Sequence, residues 1–302
     1  MAGAVERYYS RNCEVFPDTP WPESMNRIAM AVEYQGAAFR GFQIQPGGVP
    51  TVQQALQEAL SVVADEPVTL ICAGRTDAGV HATNQIVHFD TLATRPEKAW
   101  TRGLRAHLPD GVGIRWARPM APQFHARFSA RSRAYRYLIS DAPTKPALLH
   151  DQVTWSRNPL DTEKMRLAAQ ALVGEHDFTS YRAVQCQAHS PVRTIEHLHI
   201  VRSGELILLE VRANAFLHHM VRNMVGVLMA IGAGEKPVAW AREVLEARDR
   251  RVGGVTAPPF GLYLVQVEYE QHFNLPVALP GPLFLTAPVG SLANSDSLSN
   301  FC

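Results

Sequence analysis

Three side chains in this sequence have a type and setting that could do chemistry on a large polar ligand. The first is Asp77, at the centre of residues 72–90, which read C-A-G-R-T-D-A-G-V-H-A-T-N-Q-I-V-H-F-D. Gly74 and Gly79 flank it, and glycine permits positive φ or close approach of another backbone, so a large ligand can come within contact of the carboxylate. The same string also reads as an ordinary turn, because Asp bonds readily to nearby backbone. The second is Arg222, set between Val221 and Met224-Val225 in an apolar run. A guanidinium buried there needs an anionic partner, unless it reaches past small residues to water. The third is Tyr135, which with Tyr137 lies in a basic stretch. An aromatic ring there offers a face for stacking, or is simply a strand residue facing the core.

The elements around these residues decide how they are held. Val68, Leu70 and Cys72 alternate before the Asp77 loop, and Ile86, His88 and Asp90 alternate after it, so the segment is strand, loop, strand. Ahead of it, Ile28 to Tyr34 alternate as a first strand. Thr51 with Gln54 then caps a helix whose apolar residues are Val52, Ala55, Leu56, Ala59, Leu60 and Val63. A helix over 96–107 with Trp100 and Leu104 inward and a strand over 112–117 complete the order β-α-β-β-α-β. The order then repeats: a strand through Arg133, Tyr135, Tyr137 and Ile139, a helix capped by Asp161, a hairpin about Ser203-Gly204, an apolar helix from Asn214, a short charged helix after Pro237 and a last strand over 262–267.

The fold class expected is therefore α+β, as two tandem ferredoxin-like halves whose antiparallel sheets lie side by side with a cleft between them. The divisions are a flexible leader over 1–24, broken by Pro17, Pro20 and Pro22; a first half over 25–120 carrying Asp77; a second half over 121–270; and a disordered tail over 271–302. Asp77 lies on a strand connection of the first half, so its chemical partners should come from the second.

Composition excludes several classes. A 46% apolar fraction with 19% charged residues is that of a globular protein. Cys13, Cys72, Cys186 and Cys302 have no metal-ligand or disulfide-framework spacing, which fits a reducing cytoplasm. The apolar run over 214–233 has membrane-spanning length but contains His218, His219, Arg222 and Asn223, and a central Arg alone opposes insertion by ~2.5–3.5 kcal/mol. No membrane contact is expected. The His218-His219 pair implies no metal if both sit on a helix, where neighbours diverge by about 100°. No phosphate-binding loop, dinucleotide fingerprint or metal cluster is present, so no cofactor is expected. Net charge is only +1, yet ten Lys and Arg residues between Arg95 and Arg136 face only Glu97 and Asp110, leaving that segment at +8 on a body of −7. This asymmetry reads as a phosphate-facing patch, with Arg102, Arg105, Arg115, Arg118 and Arg133 as candidates for contact.

The string G-R-T-D-A-G-V-H-A over 74–82 closely resembles the active-site signature of the TruA-type tRNA pseudouridine synthases. The stretch P-Q-F-H-A-R-F-S-A-R-S-R-A-Y-R-Y over 122–137 is similar to a second signature of that family, and residues 214–232 resemble its N-x-F-L-x-x-M-V-R-N-x-V-G helix. Gly41-Phe42-Gln43, Thr51-Val52-Gln53, His176-Asp177-Phe178, 191–195 and 260–264 fit as well, so the resemblance covers about residues 26–270. It implies that Asp77 is the catalytic nucleophile, that Arg222 pairs with it, that Tyr135 stacks on the target base and that Arg75 helps seat the RNA. It further implies action on uridines at positions 38 to 40 of the tRNA anticodon arm, without cofactor, by a cytoplasmic homodimer. The alternative is a non-catalytic tandem RNA-binding protein, which would need neither Asp77 nor Arg222.

Overall fold

Ten strands form one mixed sheet in the computed structural model, which describes residues 24–277 and 280–285. The leader expected over 1–24 lies outside the described residues except for Ser24. The first half contributes β1 (Asn26–Tyr34), α1 (Val52–Ala64), β2 (Leu70–Cys72), β3 (His81–Thr91) and β4 (Val112–Met120). The second contributes β5 (Ala130–Ser140), a two-residue β6 (Thr154–Trp155), α2 (Thr162–Ala169), β7 (Gly174–Asp177), β8 (Val192–Ser203), β9 (Leu206–Ala213), α3 (Met220–Gly232), α4 (Trp240–Ala247) and β10 (Leu262–Tyr269).

Two separate antiparallel sheets were the expectation from sequence; the strands instead run β4-β1-β3-β10-β5-β9-β8-β7 as one sheet, with β2 on β3 and β6 on β5. The joint is parallel, pairing Tyr263 with His81 and Leu264 with Ala82. Its cause is a difference in length. β2 pairs with β3 only from Val87 to Phe89, so the first residues of that eleven-residue strand are left open and β10 takes them. An unpaired edge there would expose a row of backbone donors and acceptors.

The local signals mostly act as their chemistry dictates. The Thr51 side chain accepts from Gln54 N, while Gln54 turns its own amide to Glu58, so the cap is one-sided. Asp161 caps α2 by accepting from Glu163 N and Lys164 N. Between β3 and β4 the chain winds as a π turn over Ala99–Gly103 and a 3-10 turn over Leu104–Ala106, and Trp100 and Leu104 enter the core. Among the described residues no helix is long and apolar enough to cross a membrane.

The sheet divides the core. Tyr135, Tyr137 and Ile139 of β5 join the main cluster with the helices, whereas Ala134 and Leu138 point to a small cluster with Leu208, Tyr263 and Val265 on the opposite face, following the two-residue period of a strand. Arg136 shares that second face and is buried at 1% exposure. Its Nε bonds Glu210 at 2.7 Å, and its Nη1 donates to the carbonyls of Pro280 and Gly281 at 2.9 and 3.0 Å. Gly281 lies so close to Thr83 that a Cβ would stand 2.7 Å from its side chain. The described part of the stretch expected to be a disordered tail is thus packed on the sheet as far as 285. Composition suggested disorder because the donors that fix this segment belong to a buried Arg far away in sequence.

Candidate active site

Asp77 sits on the loop between β2 and β3, where Ala73, Gly74 and Thr76 before it are tied down by backbone hydrogen bonds or buried side chains. Ala73 N donates to Ile86 O at 2.8 Å, and Arg133 Nη2 donates to Ala73 O at 3.0 Å. Gln85 Nε2 holds Gly74 O at 2.5 Å, while the buried Tyr34 hydroxyl meets Thr76 Oγ1 at 2.8 Å. Phe42 N bonds Thr76 O at 3.0 Å, and the preceding Gly41, at φ +105°, brings its backbone against Thr76 and Asp77 where a side chain would crowd the loop. Gly79 turns the chain at φ +80°, and a Cβ there would meet Pro259 at 2.8 Å. These fixings leave Asp77 partly exposed and aimed at the start of α3.

Three cationic or ionisable groups from the second half meet the carboxylate. His218 Nε2 lies 3.2 Å from Oδ1, His219 Nε2 lies 3.4 Å from Oδ2, and Arg222 Nη1 lies 3.4 Å from the same Oδ2. Arg222 meets the carboxylate through Nη1 alone and forms no bidentate fork. Its Nε is committed to Ala257 O at 2.8 Å, and the Ala257 amide returns a bond to Arg222 O at 3.1 Å. That segment can lie on α3 because of Gly226: a Cβ there would stand 1.8 Å from Val255 O. Asn223 and Arg250 brace the same segment, Arg250 through Gly254 O and Thr256 Oγ1 at 3.0 Å each.

The apolar helix begins later than its sequence suggests, at Met220, because His219 takes the left-handed conformation at φ 62° and ends the turn before it. His218 and His219 therefore do not diverge as neighbours on a helix. Their rings lie 4.0 Å apart and both present Nε2 to Asp77. Asp77, His218 and His219 bring one ligand atom each to within 4.8 Å of one another, a set that could hold a metal ion.

Electrostatics favour an ionised carboxylate. Burial raises the Asp77 carboxyl, but the hydrogen bond from His218 and the positive charges beside it outweigh burial and hold it below the ordinary carboxylate value. The hydrogen bond to Asp77 lifts His218 above the ordinary imidazole value. At His219 burial outweighs the neighbouring Asp77 charge and holds the imidazole below its ordinary value.

Tyr135 is 8% exposed, with Phe216 edge-on at 5.0 Å, and burial raises its hydroxyl well above the ordinary phenol value. Gly74 is its neighbour on the Asp77 loop, since a Cβ there would stand 3.9 Å from the Tyr135 hydroxyl. Tyr137, by contrast, is a core residue bonded to Thr154 Oγ1 and Pro258 O. Arg75 is exposed on the same loop and has no hydrogen bond or ion pair with Asp77 among the described residues. The structure thus gathers Asp77 and Arg222 with the two histidines, puts Tyr135 behind the loop and leaves Arg75 facing solvent.

The basic segment splits in two. Arg102, Arg105, Arg115 and Arg118 are exposed. Arg133 is not a free phosphate contact: it donates to the carbonyls of Ala73, Arg127, Ala130 and Asn214 and so stitches the Asp77 loop to the second half. The alternation that puts Tyr135 on the helix side of β5 puts Arg133 there too, and this was the available signal.

Comparison with known proteins identifies the family. The model of a family described as tRNA pseudouridine synthase matches residues 30–129 and 168–270, which include Asp77 and Arg222 and leave Tyr135 between the two parts. A Pseudomonas aeruginosa protein called tRNA pseudouridine synthase A is 61% identical over 262 residues, 87% of this chain and 92% of the relative. Proteins of the same name from Alcanivorax borkumensis and Nitrosococcus oceani are each 57% identical, over 86% and 83% of this chain and 98% and 96% of their own lengths. With matches of this breadth running through both the Asp77 loop and the Arg222 helix, the chain belongs to the tRNA pseudouridine synthase family.

Proposed function

We infer that this chain isomerises uridine to pseudouridine in the anticodon stem-loop of tRNA, at positions 38 to 40, with Asp77 as the nucleophile. The observation that carries the reading is the carboxylate itself: partly open to solvent, below its ordinary pKa, and held by Arg222 and His218. In the reaction the N1–C1′ bond breaks, the uracil turns, C5 joins C1′, the C5 proton leaves to solvent and N1 takes one up, so the product is an isomer and there is no net redox change. Attack by Asp77 on C1′ of the ribose or on C6 of the uracil requires the same ionised, aimed oxygen, as does assistance to a glycal route. Arg222 holds the charge without taking both oxygens. Tyr135 stacks on the flipped base, and Arg75 meets backbone phosphate, where it positions RNA without reading sequence.

The reading as two ferredoxin-like halves is supported by matching strand orders, β4-β1-β3-β2 in one and β10-β5-β9-β8 in the other. Function as a cytoplasmic homodimer rests on the family resemblance. Release of tritium from C5-labelled uridine in tRNA tests the activity. Wild type should release it and Asp77→Asn should not; a chain that binds tRNA and releases none is the non-catalytic RNA-binding protein instead.

A further inference from the structure

We propose that Asp77, His218 and His219 form a binding site for a divalent transition-metal ion of the zinc type, and that an ion there takes the nucleophile out of use. The ligand set is a carboxylate and two imidazoles, which suits zinc, cobalt, nickel or copper and not magnesium or calcium, whose preference is for oxygen. The ligand atoms are close enough to close on one ion. Two ligands of one tetrahedral ion, each at about 2.0–2.1 Å, stand roughly 3.3–3.4 Å apart. His218 Nε2 is 3.2 Å from Oδ1 and His219 Nε2 is 3.4 Å from Oδ2, and one ligand atom from each residue lies within 4.8 Å of the others, so side-chain rotation alone brings the three onto one ion.

The backbone prepares this convergence. His219 is held in the left-handed region, and the His218 carbonyl accepts from Ala183 N at 2.8 Å, so both rings leave the chain ahead of α3 and point at one carboxylate. The side chains are 39%, 29% and 22% exposed for His218, His219 and Asp77, which gives an ion a path in and room for water on its open positions. Arg222 opposes the ion. Its charge lies 3.4 Å from Oδ2, but its Nε is fixed on Ala257 O, so the guanidinium is kept on the Oδ2 side and Oδ1 stays open toward His218. The site is accordingly weaker than a closed structural zinc site and fills reversibly. The loss of turnover rests on Asp77 as nucleophile, since a bound ion neutralises the carboxylate charge that attack requires; the binding rests on the geometry alone.

The test uses the full chain, freed of metal by chelator and kept at pH 8, with cobalt(II) as a visible probe. One equivalent of Co²⁺ should give the intense absorption of a four- or five-coordinate ion, and Zn²⁺ should displace it. Asp77→Asn and His219→Asn should each weaken Co²⁺ binding by more than the ~10–100-fold that loss of an outer partner costs. Asn is chosen at 219 because it tolerates the left-handed backbone, and circular dichroism verifies that each variant is folded. In parallel, Zn²⁺ should stop tritium release and excess chelator should restore it. A spectrum no different from aqueous Co²⁺, or one that persists at full strength in either folded variant, would overturn the site. Tight Co²⁺ binding at this trio with turnover unaffected would keep the site and overturn its inhibitory consequence together with the nucleophile reading.

Discussion

Replacing Gly226 with alanine should damage an active site that Gly226 does not touch. The new Cβ would stand 1.8 Å from Val255 O, where ordinary contact begins near 3.4 Å, so the 254–257 segment must withdraw by about 1.6 Å or α3 must shift by as much. The Ala257 carbonyl goes with it, and this carbonyl is what fixes Arg222 Nε at 2.8 Å. Overpacking of this kind costs about 1–3 kcal/mol, and the strained hydrogen bond to a charged group is worth a further ~1.5–3 kcal/mol if it breaks. The combined loss should lower Tm by roughly 5 °C or more, since about 1 kcal/mol is worth roughly 2–4 °C in chains of 150–250 residues. Turnover should fall further than stability explains: the guanidinium, once loose, can swing onto both oxygens of Asp77 or away from it, and either position misplaces the nucleophile. The assay is tritium release at a temperature where circular dichroism shows the variant fully folded, read as kcat and KM separately. A lower kcat with little change in KM is expected, because the phosphate contacts that dominate affinity are elsewhere. Gly226→Ala with wild-type Tm and wild-type kcat would refute the idea that the strap positions Arg222.

Asp77→Asn should abolish turnover while leaving tRNA affinity nearly unchanged; measurable pseudouridine from the variant sinks the nucleophile assignment. Arg222→Lys should lose much of the rate, because lysine cannot hold Ala257 O and Asp77 together with a planar fork. Arg222→Ala should cost less stability than the ~3–5 kcal/mol of a fully buried broken pair, as Asp77 keeps His218, and denaturant titration measures it. For the His218–Asp77 pair the pH window follows from the shifts: His218 is raised, so its contribution is complete below the unfolded value of 6.5 and fades as pH climbs through the folded one, while Asp77 is lowered, so its contribution fades only as pH falls below 3.8. NMR titration should put the His218 midpoint above 6.5 and return it downward in Asp77→Asn; a midpoint below that contradicts the pairing. Neutralising Arg102, Arg105, Arg115 or Arg118 should shrink the slope of log affinity on log salt by roughly 0.7–0.9 each where they meet RNA. Arg133→Gln should instead lower Tm, and a Tm equal to wild type would return Arg133 to the phosphate patch.

What the sequence made legible, and what it hid, divides along the range of the interactions. Alternation of Ile28 to Tyr34, the Thr51 and Asp161 caps and the Ser203-Gly204 turn are decided within a few residues, and each appears where its chemistry puts it. Asp77 and Arg222 stood out for a different reason: each has an ordinary local reading, as a turn aspartate and as an arginine reaching past small residues, and the longer strings around them resemble family signatures. The union of the two sheets was hidden because it depends on how much of β3 the three-residue β2 leaves uncovered, a matter of register between distant strands. The packing of the described part of the tail was hidden because Arg136, one of ten charges assigned to an RNA patch, turns inward and donates to Pro280 and Gly281. The histidines were dismissed on sound geometry applied to the wrong element. Neighbours diverge only inside a helix, and a single residue at φ 62° put both of them outside it. That backbone angle belongs to a non-glycine residue, where it carries a steric cost, and it is the angle that brings a second imidazole to Asp77. The local conformation least visible in the amino-acid types is thus the one that sets what surrounds the nucleophile, which is why the composition of the site could be read further from sequence than its coordination.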